Sequence, residues 1–118
     1  MKKTNFLKTK LCASVFIAAM TIVSPLQASG IDTSSTAFLQ GQELYNTTAG
    51  GVGCASCHGL DGKGTDAAPA HLGADEAKVR TALGGVAMMS MIKLKRSEIK
   101  SLMVYLNYLT EEDDIGGM

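Results

Sequence analysis

The chain has 118 residues and, with 11 basic and 11 acidic residues, no formal net charge at pH 7. This length suits one small domain, and a chain without excess positive charge gives no footprint for nucleic acid. Tryptophan is absent and aromatic residues make up only 5% of the chain. A domain of this size and composition therefore has only a small apolar core of its own.

The first 28 residues have the pattern of a secretory signal peptide. Lysines lie at four positions between Lys2 and Lys10, an apolar run follows over residues 11–23, and small residues end the segment near Ala28. The apolar run is shorter than the roughly 20 residues that a membrane-spanning helix needs. We therefore expect export to the periplasm, no membrane anchor after cleavage, and a mature domain of residues 29–118. Loss of the four lysines leaves seven basic residues against 11 acidic ones in that domain.

Three stretches of the exported part have apolar residues at the spacing of three and four that predicts helices. They are residues 36–46, 75–83 and 96–109. Gly41 lies within the apolar stripe of the first stretch, where glycine costs about 1 kcal/mol relative to alanine. This cost indicates that another helix crosses close to Gly41, with Tyr105 of the last helix as the expected neighbour. The acidic segment 111–118 ends in glycines and is expected to fray.

The segment Cys54-Ala55-Ser56-Cys57-His58 carries the most specific pattern in the chain. Two cysteines separated by two residues and followed by histidine are typical of a covalent haem attachment site. Thiols about one helical turn apart can bond the two vinyl groups along one haem edge, and this leaves the imidazole of the histidine beneath the iron.

Two other interpretations of this segment exist. A disulfide or a thioredoxin-like redox pair would need alternating strands and helices around it, and the sequence does not show that alternation. A structural zinc ion needs four nitrogen or sulfur ligands, whereas the exported part offers only His71 beyond the motif. The haem interpretation is therefore favoured.

Further residues extend the pattern in both directions. Gly59 follows His58 and leads into Asp-Gly-x-Gly at residues 61–64, and Gly41 and Tyr45 precede the motif. Downstream, the chain continues with Pro69, Leu72 and Gly73, then the methionines before Leu94, then Glu98, Ile99, Tyr105 and Leu106. In this order and spacing, residues 29–118 resemble a class I c-type cytochrome, that is, a small monohaem cytochrome c.

The resemblance implies an all-α fold of the small class I cytochrome c type, with three to four helices around one covalently bound haem c. It implies that Cys54 and Cys57 bind the haem vinyl groups and that His58 is the proximal iron ligand. Pro69 matches the proline whose carbonyl oxygen binds the second nitrogen of that imidazole, which holds the ring and raises its basicity.

The distal ligand is predicted to be a methionine, from the spacing to Leu94. Met89 fits the family spacing best and Met88 is the alternative, while Met91 and His71 fit less well. Because His71 lies in a loop next to Pro69, we otherwise expect its side chain to be exposed to solvent. A partner for a haem propionate is its further alternative.

The function that this resemblance implies is electron transfer, without enzymatic activity and without nucleic acid. The expected partners are larger redox proteins, met by a monomer or a small oligomer. Two alternatives are a haem-bearing relay subunit of a multi-subunit dehydrogenase or reductase, and a haem-based sensor with an open distal site.

Overall fold

The computed structural model describes residues 30–117, and these residues form four α-helices. The helices are α1 (Thr36–Glu43), α2 (Ala55–His58), α3 (Glu76–Gly85) and α4 (Arg96–Gly116). Within this range, β structure is limited to one isolated bridge between Gly64 and Pro69. The prediction of an all-α fold is confirmed. The proposed signal peptide of residues 1–28 lies outside the described residues.

Helix α1 begins at a conventional cap and ends in a wider turn. The Ser35 hydroxyl accepts a hydrogen bond from the Phe38 N–H at 3.1 Å, which satisfies one of the free donors of the first turn. Residues Leu44–Thr48 then form a π-helical turn. The hydroxyls of Thr47 and Thr48 donate to the Glu43 carbonyl at 3.0 and 3.3 Å. The helix predicted over 36–46 is therefore present, with a widened last turn that its apolar spacing did not indicate.

The core lies where α1 crosses α4, and Gly41 permits the crossing. A Cβ atom at Gly41 would overlap the Ser101 carbonyl oxygen and would lie 2.7 Å from the Ser101 carbonyl carbon and 3.1 Å from Tyr105 Cβ. The crossing at Gly41 and the proximity of Tyr105 are both confirmed. The buried cluster around it consists of Phe38, Tyr45, Leu102, Tyr105, Leu106 and Leu109.

Helices α3 and α4 each begin with a side chain that accepts a backbone hydrogen bond. The Asp75 carboxylate accepts from the Lys78 N–H at 2.8 Å at the start of α3. Lys95 precedes α4 and has no acceptor in its side chain. The Glu98 carboxylate instead accepts from the Lys95 N–H at 2.6 Å, so half of a capping box replaces the missing cap.

The C-terminal part of α4 differs from the prediction. The sequence predicts fraying over residues 111–118, yet α4 continues to Gly116. Two contacts explain this continuation: the Gly73 N–H donates to the Thr110 hydroxyl at 3.0 Å, and Lys63 forms a salt bridge with Asp113 at 2.6 Å. Both join α4 to the segment of residues 59–73, which we call the histidine loop. The prediction was wrong because it treated the tail as having no tertiary contacts.

None of the helices within residues 30–117 combines the length and the apolar character required to cross a membrane.

Replacing Gly41 with alanine tests the helix crossing. The added methyl group would overlap the α4 backbone, and overpacking of this kind costs about 1–3 kcal/mol or more. We expect the thermal midpoint to fall by roughly 10 °C, given about 4–8 °C per kcal/mol for a domain of this size. Calorimetry on the haem-loaded protein would measure this fall.

Gly84→Ala is the matched control, because a Cβ atom at Gly84 in α3 meets no atom within 4 Å. Alanine is the better helix former, so this variant should keep or slightly raise the midpoint. Equal midpoints for the two variants would show that the helices do not depend on close approach at Gly41.

Candidate functional site

Cys57 and His58 lie on the single turn of helix α2, and Cys54 is the residue just before that turn. The Cys54 carbonyl accepts hydrogen bonds from the N–H groups of Cys57 at 3.2 Å and of His58 at 3.0 Å. Both cysteines are free thiols. Cys54 packs against the buried cluster, and burial raises the pKa of its thiol to about 11. Cys57 is exposed.

The His58 imidazole is fixed by a hydrogen bond to the Pro69 carbonyl oxygen. His58 Nδ1 lies 2.7 Å from that oxygen. A carbonyl oxygen can only accept, so Nδ1 carries a proton, and in the neutral ring Nε2 then keeps its lone pair. The contact that the resemblance implied is therefore present, and it leaves Nε2 as the nitrogen that can bind a metal.

The histidine loop brings Pro69 to this position by folding back on itself. The Gly64 N–H donates to the His58 carbonyl at 2.9 Å, and the Thr65 N–H donates to the Ala68 carbonyl at 2.8 Å. Gly64 has a φ of +89°, and a Cβ atom there would lie 2.6 Å from the Ala70 nitrogen. Only glycine accommodates both the positive φ and this close approach. The turn at residues 65–68 thus aims the Pro69 carbonyl at His58.

The position of His71 corrects the expectation that its side chain is exposed to solvent. The ring is half-buried, and its Nε2 lies 2.7 Å from the Tyr45 hydroxyl. The backbone hydrogen bond from His71 N–H to the Gly62 carbonyl, at 3.0 Å, folds this part of the loop inward. Burial, and to a lesser extent the neighbouring His58 ring, lower the pKa of His71 below its ordinary value.

The same geometry argues against His71 as the distal ligand. The centroids of the His58 and His71 rings are 5.0 Å apart, with 65° between the ring planes. Two imidazoles bound to opposite sides of one iron would have centroids about 6 Å apart, because each nitrogen lies about 2 Å from the metal. In addition, His71 Nε2 is already hydrogen-bonded to Tyr45. His71 therefore lies beside His58 and not opposite it.

The methionine-rich stretch of residues 86–94, here called the methionine segment, contains tight turns between α3 and α4. The Met89 N–H donates to the Val86 carbonyl, and the Ile92 N–H donates to the Met89 carbonyl, both at 2.9 Å. Met88 and Met91 are 80% and 79% exposed, whereas Met89 is partly buried. The greater burial of Met89 agrees with the preference for it as distal ligand, and the choice between Met89 and Met88 stays a prediction.

The sequence analysis did not identify the roles of Tyr45 and Thr65. The Tyr45 hydroxyl lies 2.7 Å from the Gly59 carbonyl oxygen, and the Thr65 hydroxyl donates to the Cys57 carbonyl. One signal was available for Tyr45: a tyrosine within an apolar stripe is buried, and a buried hydroxyl needs a hydrogen-bond partner. No comparable signal pointed to Thr65.

Comparison with protein-family models finds a match over the central part of the chain. The family model described as Cytochrome c matches residues 38–86, which run from α1 through the cysteine motif and the histidine loop to the end of α3. This match covers less than half of the chain, and it supports a class I c-type cytochrome. The Cytochrome c family binds covalently attached haem c, and the spacing of Cys54 and Cys57 agrees with such attachment. The match supports a haem-based electron carrier. Searches of the curated proteins and of the solved structures each found no significant match.

The donor groups of the site fit the chemistry of haem c. Covalent attachment needs two thiols on one turn, and Cys54 and Cys57 supply them as free thiols. Axial ligation needs an imidazole nitrogen with a lone pair, and the hydrogen bond to Pro69 selects the neutral tautomer in which His58 Nε2 has it. A zinc site would need more ligands, and within residues 30–117 no group of three or more His, Cys, Asp or Glu could hold a metal ion.

Tyr45→Phe tests how the buried Tyr45 hydroxyl contributes to the free energy of unfolding, because this contribution should depend on pH. Burial raises the pKa of Tyr45 above its ordinary value, with a smaller contribution from Cys54. The unfolded chain ionises this hydroxyl near pH 10, so the stabilisation is complete below that pH and is lost as the pH rises. The variant should be about 1 kcal/mol less stable at pH 7, through loss of its hydrogen bonds.

Guanidinium unfolding of the haem-loaded proteins at several pH values would measure this difference. The gap in unfolding free energy between wild type and Tyr45→Phe should narrow from about pH 9 to about pH 11. Parallel stability curves over that range would show that Tyr45 does not resist ionisation in the folded protein.

Proposed function

We propose that this cytochrome is a periplasmic carrier that moves one electron at a time between larger redox proteins. The observation that supports this proposal most strongly is the hydrogen bond of 2.7 Å from His58 Nδ1 to the Pro69 carbonyl. It prepares Nε2 as an axial ligand next to two free thiols. Covalently attached haem supplies an iron that gains and loses a single electron.

In this proposal, the residues of the site hold the ligands still while the charge changes. Cys54 and Cys57 would fix one haem edge, and His58 Nε2 would bind the iron. The Pro69 carbonyl fixes the orientation of the imidazole and increases its electron donation, because a hydrogen bond from the far nitrogen makes the ligand more basic. A ligand set of fixed geometry rearranges little on electron transfer, which suits a carrier.

Met89 is proposed as the distal ligand, with Met88 as the alternative. A thioether needs no deprotonation before it binds, so ligation does not tie electron transfer to a proton. A methionine and a histidine together raise the potential relative to two histidines. Met89 lies in the turns between α3 and α4 and is more buried than Met88, which supports this choice.

The chain presents a basic surface next to the methionine segment. Lys93, Lys95, Arg96 and Lys100 are all exposed. Positive charge near an electron-transfer site attracts an acidic partner and raises the association rate more than the affinity. We therefore propose a redox protein with an acidic docking surface as one partner. We propose no catalytic role, because the polar groups around His58 serve to hold that ring in place.

A second candidate function has one observation in its favour. Large apolar side chains stay exposed at Val52, Leu60, Val86, Met88 and Met91. Apolar residues at a surface can mark contact with another protein, as expected for a haem-bearing relay subunit of a multi-subunit dehydrogenase or reductase. The carrier is preferred because these side chains flank the cysteine motif and the methionine segment in sequence, where haem itself can cover them.

Expression of the full chain in a host with haem-attachment machinery would test the carrier. The expected product is a periplasmic protein that elutes as a monomer or small oligomer, titrates as a single one-electron couple and does not bind carbon monoxide when reduced. Rapid binding of carbon monoxide to the folded protein would indicate a sensor with an open distal site. Stable association with a large redox subunit in the native source would indicate the relay subunit.

Met89→Ala should abolish the near-infrared charge-transfer band of a methionine bound to ferric iron. Met88→Ala is the matched control, because Met88 is the adjacent methionine and its side chain is 80% exposed. We expect this control to keep the band. The opposite pattern, with the band lost in Met88→Ala and kept in Met89→Ala, would assign the distal ligand to Met88.

A further inference from the structure

The Tyr45 hydroxyl joins the Gly59 carbonyl and the His71 ring in a short row of hydrogen bonds. The side chain of Tyr45 is fully buried, with 0% exposure. Its hydroxyl oxygen lies 2.7 Å from the Gly59 carbonyl oxygen and 2.7 Å from His71 Nε2. Gly59 directly follows His58, and the His71 ring lies against the His58 ring with centroids 5.0 Å apart. These hydrogen bonds therefore connect Tyr45 to both parts of the proposed proximal ligand. Gly59 is joined to the His58 backbone, and His71 lies against the His58 ring.

The direction of each hydrogen bond follows from proton counting. The Gly59 carbonyl can only accept, so the single hydroxyl proton of Tyr45 is donated to it. The hydroxyl oxygen can then only accept from His71, so His71 Nε2 carries a proton. A neutral His71 ring therefore has no proton on Nδ1. That atom is buried without a hydrogen-bond partner among the described residues.

The His71 ring is enclosed by its neighbours as well as hydrogen-bonded. The Tyr45 and His71 centroids are 5.3 Å apart, at an angle of 76°. On another side lies Gly62, where a Cβ atom would come within 2.8 Å of His71 Cε1. The absence of a side chain at Gly62 thus makes room for the ring. Burial of Nδ1 without a hydrogen-bond partner costs about 1–3 kcal/mol. An apolar residue of similar size at position 71 would fill the same space without this cost.

We propose that Tyr45 and His71 are positioning residues that hold the plane of the His58 imidazole. This inference rests on the proposed ligation of iron by His58. The hydrogen bond to the Pro69 carbonyl oxygen fixes the direction of Nδ1. The His58 ring can still rotate about the axis that joins Nδ1 to this oxygen. The His71 ring lies against the His58 ring at an angle of 65° and blocks this rotation. Tyr45 in turn holds His71 in place from the crossing of α1 and α4.

The test uses haem-loaded full-chain proteins and a readout of imidazole orientation. The paramagnetically shifted proton resonances of the ferric haem methyl groups depend on the plane of the axial imidazole. The variants are Tyr45→Phe, His71→Leu, the double variant, and His71→Gln, whose amide N–H can still donate to the Tyr45 hydroxyl. Tyr108→Phe is the control, because it removes a tyrosine hydroxyl that takes no part in this row of hydrogen bonds.

We expect Tyr45→Phe and His71→Leu each to shift and broaden the methyl resonances. The double variant should show no larger change than either single variant, because coupled residues do not act additively. His71→Gln should restore most of the wild-type pattern, and Tyr108→Phe should leave it unchanged.

Wild-type methyl shifts in both Tyr45→Phe and His71→Leu would overturn the inference, even if both variants were less stable. Residues with a purely structural role would change the stability of the protein without changing the plane of the imidazole. Tyr45→Phe keeps the volume of the core and decides the question if His71→Leu fails to accumulate. A wild-type protein whose haem lacks histidine ligation would overturn the proposed function itself, before any variant is compared.

Discussion

The site depends on one hydrogen bond, from His58 Nδ1 to the Pro69 carbonyl oxygen at 2.7 Å. This bond selects the tautomer of the imidazole and so decides which nitrogen is free for iron. It joins residues that are 11 positions apart, so it requires the histidine loop to reverse direction between them. The bridge between Gly64 and Pro69 and the hydrogen bond from Thr65 to Ala68 produce that reversal.

The crossing of α1 and α4 provides the rigid support for this loop. Gly41 allows the two helices to approach, and the next turn of the chain places Tyr45 in the buried cluster. From there the Tyr45 hydroxyl reaches Gly59 and His71. Thr110 and Asp113 of α4 contact the same loop at Gly73 and at Lys63. The packing that stabilises a small core thus also restrains the segment that carries the proximal histidine.

Much of the fold and the centre of the site could be predicted because they depend on local patterns. The cysteine motif encodes its geometry within five residues, and Gly41 revealed a helix crossing through the cost of glycine in a helix. The position of His71 and the persistence of α4 to Gly116 could not be predicted in this way. Both depend on contacts between distant segments, such as His71 with Tyr45 and Lys63 with Asp113. The spacing of residues within one segment does not predict such contacts.

The most direct test is a high-resolution crystal structure of the haem-loaded protein in its ferric state. The account predicts thioether bonds at Cys54 and Cys57, iron bound to His58 Nε2, and His58 Nδ1 within hydrogen-bonding distance of the Pro69 oxygen. A His58 ring rotated away from Pro69, or iron bound by another proximal residue, would contradict it. In either case the histidine loop would not be what orients the ligand.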